Sequence, residues 1–191
     1  MAIQQRIKDV GEVFTPQHIV NDMVDLLPDL QIATTVLEPS VGEGVFLCEI
    51  LRRKLNSAQD FETVRIALQT LYGVDIMLDN VRKTRENLLE ICKDTTSKVS
   101  PEQLAILEQI LKNNIRWGDT LACFEAKSED NENVLCLKDK REKDVQDLQF
   151  FNYQKNKWEN YFKLFCKAMK DEIVLQRNEY RNPPTQQSLS F

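Results

Sequence analysis

The feature that most constrains the fold is an apolar segment that runs through an acidic residue into a glycine turn and then into a helix. Residues 34–38 are expected to form a strand that ends at Glu38, Gly42 and Gly44 follow two residues apart, and residues 45–57 show the apolar spacing of a helix. A glycine turn between a strand and a helix lets a ligand approach backbone amides closely. Because a carboxylate at Glu38 would repel phosphate and attract ammonium, the turn predicts a ligand that carries an amine.

Helices and strands alternate over the first 125 residues. A first helix is expected to begin at Pro16, with Thr15 as its N-cap, and to end before Pro28. The hydrophobic pattern further predicts strands over residues 71–75 and 114–117, and helices over residues 77–92 and 100–111. Such alternation is typical of an α/β fold, with a parallel sheet and helices on both of its faces.

The composition changes after about residue 125. The segment 126–147 is dense in Lys, Asp, Glu and Asn, which indicates a charged loop with one short strand at 134–137. The segment 148–176 carries aromatic and apolar side chains at helical spacing, which predicts an amphipathic helix through Trp158, Phe162, Phe165 and Met169. The expected organisation is a lead-in over residues 1–14, a domain over 15–125, the charged loop over 126–147, a helical segment over 148–180 and a tail over 181–191.

Composition narrows the classes of partner. The net charge of −5 lacks the broad basic footprint of a nucleic-acid-binding domain, and no apolar run reaches the ~18 residues of a membrane span. The N-terminus is polar and does not resemble a signal peptide. Five scattered cysteines without a C-x-x-C pair suggest neither a disulfide framework nor a zinc site, so we expect no metal and a reducing cytoplasm. The single histidine, His18, is expected at the surface.

Acidic residues end all three predicted strands or follow them closely. Glu38, Asp75 and Asp119 would border one crevice, because ligands of open α/β sheets bind outside the carboxyl ends of the strands. Glu38 could balance an amino group, Asp75 could accept hydrogen bonds from a ribose diol, and Asp119 could accept from the exocyclic amine of adenine. Ile76 would pack on the adenine face. Two simpler interpretations stay open: Asp75 could cap the following helix, and Asp119 could belong to an ordinary turn.

Four motifs together resemble the S-adenosylmethionine (SAM)-binding region of N6-adenine DNA methyltransferases from restriction–modification systems. They occupy residues 11–16, 37–46, 72–76 and 117–121, in the order of the gamma-type branch of that family. The resemblance implies a Rossmann-like SAM-dependent methyltransferase sheet, SAM as cofactor and DNA as substrate. The cofactor-binding residues that it implies are Phe14, Thr15, Pro16, Glu38, Pro39, Ser40, Gly42, Gly44, Asp75, Ile76, Asp119 and Leu121.

The sequence departs from that family at the catalytic motif, in which Asp, Asn or Ser precedes Pro-Pro and an aromatic residue. The chain does contain Asn182-Pro183-Pro184, but Thr185 stands where the aromatic residue is expected. A second candidate, Asn152 and Tyr153, lacks both prolines, which would fix the backbone of the turn. These two segments are the candidates for the catalytic residues.

Three functions are compatible with these observations. The chain could be a SAM-dependent DNA (adenine-N6) methyltransferase, or a subunit of one whose DNA recognition comes from another chain. It could instead be a catalytically inactive accessory or assembly subunit of a restriction or phage-defence complex, docking as a hetero- or homo-oligomer through the 148–176 helix. The third hypothesis is a SAM-dependent methyltransferase with a protein or small-molecule substrate. The Thr15-Pro16 motif argues against this hypothesis.

Overall fold

The computed structural model describes residues 15–27, 30–56, 60–96, 98–120, 124–129, 132–137 and 149–160. The helices in these ranges are α1 (Gln17–Asp25), α2 (Val45–Lys54), α3 (Phe61–Gln69), α4 (Leu78–Thr95) and α5 (Pro101–Asn114). The strands are β1 (Val36–Glu38), β2 (Leu71–Asp75), β3 (Ile115–Trp117), β4 (Phe124–Glu129), β5 (Glu132–Leu137), β6 (Gln149–Asn152) and β7 (Lys157–Asn160). No helix in this part of the chain is both long enough and apolar enough to cross a membrane.

A parallel three-stranded sheet organises the described residues between 15 and 120. Its strand order is β1-β2-β3, with Val36 opposite Leu71 and Gly73 opposite Ile115. The apolar segments that predicted these strands therefore pair as expected, and the α/β class is confirmed. Because all three strands run in the same direction, Glu38, Asp75 and Trp117 end them at one edge of the sheet.

The core lies between this sheet and the helices. The apolar faces of α2, α4 and α5 are buried there, with Leu47, Leu51, Val81, Leu88 and Leu107 among the buried residues. Helix α3 was not predicted from the sequence. Its N-cap, Asp60, accepts a hydrogen bond from the backbone N–H of Thr63 at 2.9 Å, and its apolar face is Val64, Ala67 and Leu68.

Helix α1 begins one residue later than predicted. Pro16 is its N-cap in an extended conformation, and the carbonyl of Pro16 accepts from the N–H of Val20 at 3.1 Å. No side chain caps the helix, so the prediction of Thr15 as the cap is wrong. Because the helix starts after Pro16, the carbonyl of that residue makes the first intrahelical bond in place of the carbonyl of Thr15.

Two antiparallel hairpins correct the prediction for the second part of the chain. Strands β4 and β5 pair from Phe124↔Leu137 to Glu129↔Glu132, so these ranges are not loop, although the short strand at 134–137 is confirmed within β5. The backbone N–H and C=O groups of the two strands bond each other, and this pairing does not depend on the charge of the side chains.

The amphipathic helix predicted over 148–176 is wrong for residues 149–160, where β6 and β7 form a hairpin. Aromatic residues favour strands, and Phe150 is buried against Tyr72, with the two rings edge to face at 5.1 Å. The hydroxyl of Tyr72 also donates to the carbonyl of Phe151 at 3.0 Å. Pairing of β6 with β7 forms the hairpin, and these contacts dock it against the central strand. Residues 161–180 of the predicted helical segment lie outside the described ranges.

Candidate cofactor site

The carboxyl ends of β1, β2 and β3 are tied into one edge by backbone hydrogen bonds. The N–H of Val41 donates to the carbonyl of Val74 at 2.9 Å, which joins the turn after β1 to β2. The N–H of Gly118 donates to the carbonyl of Asp75 at 2.9 Å, which joins the turn after β3 to the same strand. The three turns that follow the strands therefore meet at the end of β2.

The two glycines of the first turn are required for different structural reasons. Both have positive φ, +53° at Gly42 and +84° at Gly44, which residues with a Cβ rarely adopt. A Cβ on Gly44 would lie 2.7 Å from Cγ2 of Thr84 on α4, whereas a Cβ on Gly42 would meet nothing within 4 Å. Gly44 thus allows α2 and α4 to approach each other, and the space beside Gly42 is open.

Asp75 holds the glycine turn to the end of β2. Its side chain is only 6% exposed, and its carboxylate accepts from the N–H of Gly42 at 2.8 Å, from the N–H of Met77 at 2.8 Å and from Nδ2 of Asn80 at 3.3 Å. The N-cap of α4 is Met77, which has no side-chain cap. Asp75 is therefore not the N-cap of α4: it bonds Met77 and Asn80 at the start of that helix, and its third hydrogen bond joins it to the glycine turn.

Helix α4 supplies further contacts to the turn that the sequence analysis missed. Oγ1 of Thr84 donates to the carbonyl of Gly42 at 2.8 Å, and Nδ2 of Asn87 donates to the carbonyl of Glu43 at 2.9 Å. With Asn80, these polar residues follow one another at spacings of four and three, on a helix whose inward face is otherwise apolar. In the sequence, the signal for these contacts is a short polar stripe beside the apolar stripe of the helix.

Glu38 is a partly buried carboxylate at the end of β1. Burial raises the pKa of Glu38 above its usual value, and a hydrogen bond from the N–H of Ser40 at 3.2 Å opposes that rise. Pro39 is half-buried and Ser40 is exposed in the same turn. A positive group that approached Glu38 would find an acceptor whose negative charge is poorly solvated, which strengthens the attraction.

Among the other predicted cofactor residues, Ile76 and Asp119 follow β2 and β3 at this edge. Thr15 and Pro16 precede Gln17, which lines a groove with Val45, the residue after Gly44. Ile76 is 60% exposed directly after Asp75, and Asp119 is exposed after β3. Phe14 and Leu121 lie outside the described residues. His18 is exposed, as predicted.

The catalytic candidates are not brought to this edge. Asn152 and Tyr153 line a cavity of about 340 Å³ together with Thr35 and Thr70, which immediately precede β1 and β2. That position is at the amino end of the sheet, opposite Glu38 and Asp75. Asn152 is occupied within its hairpin, since its Nδ2 donates to Glu159 at 2.8 Å and its Oδ1 accepts from the N–H of Lys155 at 3.0 Å. The residues Asn182, Pro183 and Pro184 lie outside the described ranges.

Comparison with known proteins gives a family for this arrangement. The family described as N-6 DNA Methylase matches residues 1–135. A relative from Heyndrickxia coagulans, described as "Type II restriction enzyme and methyltransferase RM.BcgI", is 37% identical over 68 residues. That alignment covers 35% of this chain and 10% of the relative, so the matched part of the chain spans about a tenth of that protein. A search of the solved structures found no match.

Proposed function

The chain belongs to the N-6 DNA methylase family, and we propose that it binds SAM as the cofactor-binding part of an enzyme that methylates the N6 amine of adenine in DNA. The observation that carries this proposal is the bond from Gly42 to the buried carboxylate of Asp75. This bond sets a glycine turn and an acidic strand end side by side at the carboxyl edge of a parallel sheet, where α/β folds bind their ligands.

The residues present fit the chemical groups of SAM. The partly buried carboxylate of Glu38 suits the ammonium of the methionine part, and the open space beside Gly42 leaves room for a ligand near the backbone. Asp75 already accepts three hydrogen bonds. A carboxylate offers about four acceptor positions, so one remains for a ribose hydroxyl. A second hydroxyl would displace the longest of the three bonds, from Asn80 at 3.3 Å.

Positioning is the main task of this chain in the proposed reaction. SAM, when bound, would supply an electrophilic methyl group: an amine would form a bond to the methyl carbon as the bond from that carbon to the sulfonium sulfur breaks, a neutral thioether would leave, and the amine would lose one proton to solvent. Glu38 and Asp75 would bind and orient the two ends of the cofactor, and the glycine turn would hold it against the sheet. Orientation of this kind accounts for a large part of catalysis when little acid–base chemistry is required.

DNA recognition is proposed to come from elsewhere than the described residues. An adenine must leave the duplex before its amine can be reached, and Asn152 and Tyr153 stand at the opposite end of the sheet from the cofactor crevice. The relative from H. coagulans is named as both a restriction enzyme and a methyltransferase, which supports a restriction–modification context. A partner chain or another region would then supply base stacking and target recognition.

The position of Asn152 and Tyr153 also favours a second candidate function. A chain whose described residues place no catalytic motif beside the cofactor site could serve as an accessory subunit of a restriction or phage-defence complex. Such a subunit would bind SAM as a structural or regulatory ligand and would transfer no methyl group.

A methyl-transfer assay separates the two functions. The purified chain is incubated with SAM labelled on the methyl group and with unmethylated DNA, alone and with the protein encoded by the neighbouring reading frame. Label in N6-methyladenine, identified after nuclease digestion, supports the enzyme. SAM binding without incorporation in any combination supports the accessory subunit. A folded chain that does not bind SAM refutes both.

A further inference from the structure

Trp117 is an exposed aromatic residue at the cofactor edge of the sheet. It ends β3 with 63% of its surface exposed, opposite Asp75 in the strand register. Residues paired in adjacent strands direct their side chains to the same face of the sheet. The indole therefore projects on the side of the sheet where the carboxylate of Asp75 meets the glycine turn.

The indole is held in place before any ligand arrives. Its Nε1–H donates to the carbonyl of Ile76 at 2.8 Å, so the ring extends across the end of β2. The N–H of Gly118 donates to the carbonyl of Asp75, which fixes the backbone that follows. A side chain with its orientation already set loses little conformational entropy when a ligand binds.

Ile76 adds a second apolar surface at the same place. It is 60% exposed directly after Asp75, and its backbone carbonyl accepts from the indole, so two exposed apolar residues are neighbours at the end of β2. The neighbouring groups Asp75 and Asp119 are acidic. A flat, apolar ring that carries hydrogen-bond donors on its periphery is the ligand group that suits this combination.

We propose that Trp117 stacks on the adenine ring of SAM and is a determinant of the affinity of the chain for purine-containing cofactors. This inference rests on the proposed function. Stacking on an indole requires only the π-face of the base. Because the Nε1–H of Trp117 already donates to the carbonyl of Ile76, the face of the indole can stack without leaving that donor unpaired.

The chain offers a matched control in its second tryptophan. Trp158 on β7 is 46% exposed and lies with its ring 5.9 Å from the guanidinium carbon of Arg116, the residue before Trp117. Successive residues of a strand point to opposite faces. Trp158 therefore contacts a side chain that projects from the face of β3 opposite to that of Trp117.

Fluorescence tests the stacking directly. In Trp158→Phe the only tryptophan is Trp117, and in Trp117→Phe it is Trp158. Titration with SAM is expected to quench emission from Trp117 saturably, with the dissociation constant that calorimetry gives for the same protein, and to leave emission from Trp158 unchanged. Adenosine is expected to quench Trp117 as well, whereas methionine is not.

Affinity measurements complete the test. Trp117→Ala is expected to weaken SAM binding about 5- to 100-fold, and Trp117→Phe, which keeps a ring, by less than about threefold. If the wild-type chain and Trp117→Ala bind SAM equally in calorimetry, with no change in the emission of Trp117, the inference is overturned while the proposed function stands. If the folded wild-type chain does not bind SAM, both are refuted. Circular dichroism of each variant establishes that the exposed substitution has not unfolded the protein.

Discussion

Alanine substitutions at the two turn glycines should destabilise the chain to different extents, because only one of them has a neighbour. At Gly42 and Gly44 a Cβ must adopt positive φ, which costs roughly 1–2 kcal/mol for an L-residue. Alanine also restricts the unfolded chain, which offsets about 0.4–1 kcal/mol of that cost in both variants. Gly42→Ala is therefore expected to lower the free energy of unfolding by about 1 kcal/mol.

Gly44→Ala carries an additional steric cost. Its Cβ would lie 2.7 Å from Cγ2 and 3.0 Å from Oγ1 of Thr84, a side chain that is fully buried on α4. Insertion of an extra methyl group into a packed site typically costs about 1–3 kcal/mol. The expected loss for Gly44→Ala is thus about 2–4 kcal/mol, and the difference between the two variants measures the contact with Thr84.

Urea unfolding followed by far-ultraviolet circular dichroism measures both losses. Thr84→Ser removes Cγ2 and retains the hydroxyl that bonds the carbonyl of Gly42. In a double-mutant cycle, Gly44→Ala should therefore cost less in the Thr84→Ser background than in the wild type. Equal losses for the two glycine variants, or strict additivity of Gly44→Ala and Thr84→Ser, would refute the account of the turn.

Three further predictions concern the surrounding fold. Burial lowers the pKa of Lys54 from 10.5 to about 8. Between these pH values the folded state binds fewer protons than the unfolded state, so the free energy of unfolding should rise from about pH 8 to 10.5. The variant Lys54→Met should lack this rise. Tyr72→Phe removes the bond to the carbonyl of Phe151 and should cost about 1 kcal/mol, with faster amide exchange confined to the β6–β7 hairpin; unchanged exchange there would contradict the contact. Ser100→Ala removes the cap of α5, with its bond to Gln103, and should cost about 1 kcal/mol in urea unfolding; no measurable loss would show that the cap contributes nothing.

The sequence predicted the sheet because its strands are short apolar segments that end in recognisable residues. The segments before Glu38 and Asp75 contain mostly apolar side chains, and glycine turns or helical spacing follow them. Helix α3 was not predicted, although Asp60 and Thr63 form a recognisable N-terminal cap and the helix is as long as α1. Each of these elements therefore carries a local signal in its own residues.

The hairpin over residues 149–160 could not be predicted from local spacing. The aromatic residues of this segment fit a helix as well as a strand. The contacts that accompany the strands include the bond of Phe151 with Tyr72, which lies 79 residues earlier in the sequence. Similarly, the sequence indicated that Asp75 ends a strand. That its carboxylate is engaged by Gly42 depends on the packing of β1 against β2.

Calorimetric titration with SAM tests the central claim most directly. The wild-type chain is compared with Asp75→Asn, which removes the charged acceptor of Gly42, and with Glu108→Gln, which alters an exposed carboxylate on α5. The account predicts saturable binding at one site, a dissociation constant at least about tenfold higher for Asp75→Asn, and no change for Glu108→Gln. Absence of binding to the folded wild-type chain, or equal affinity in Asp75→Asn, would contradict it.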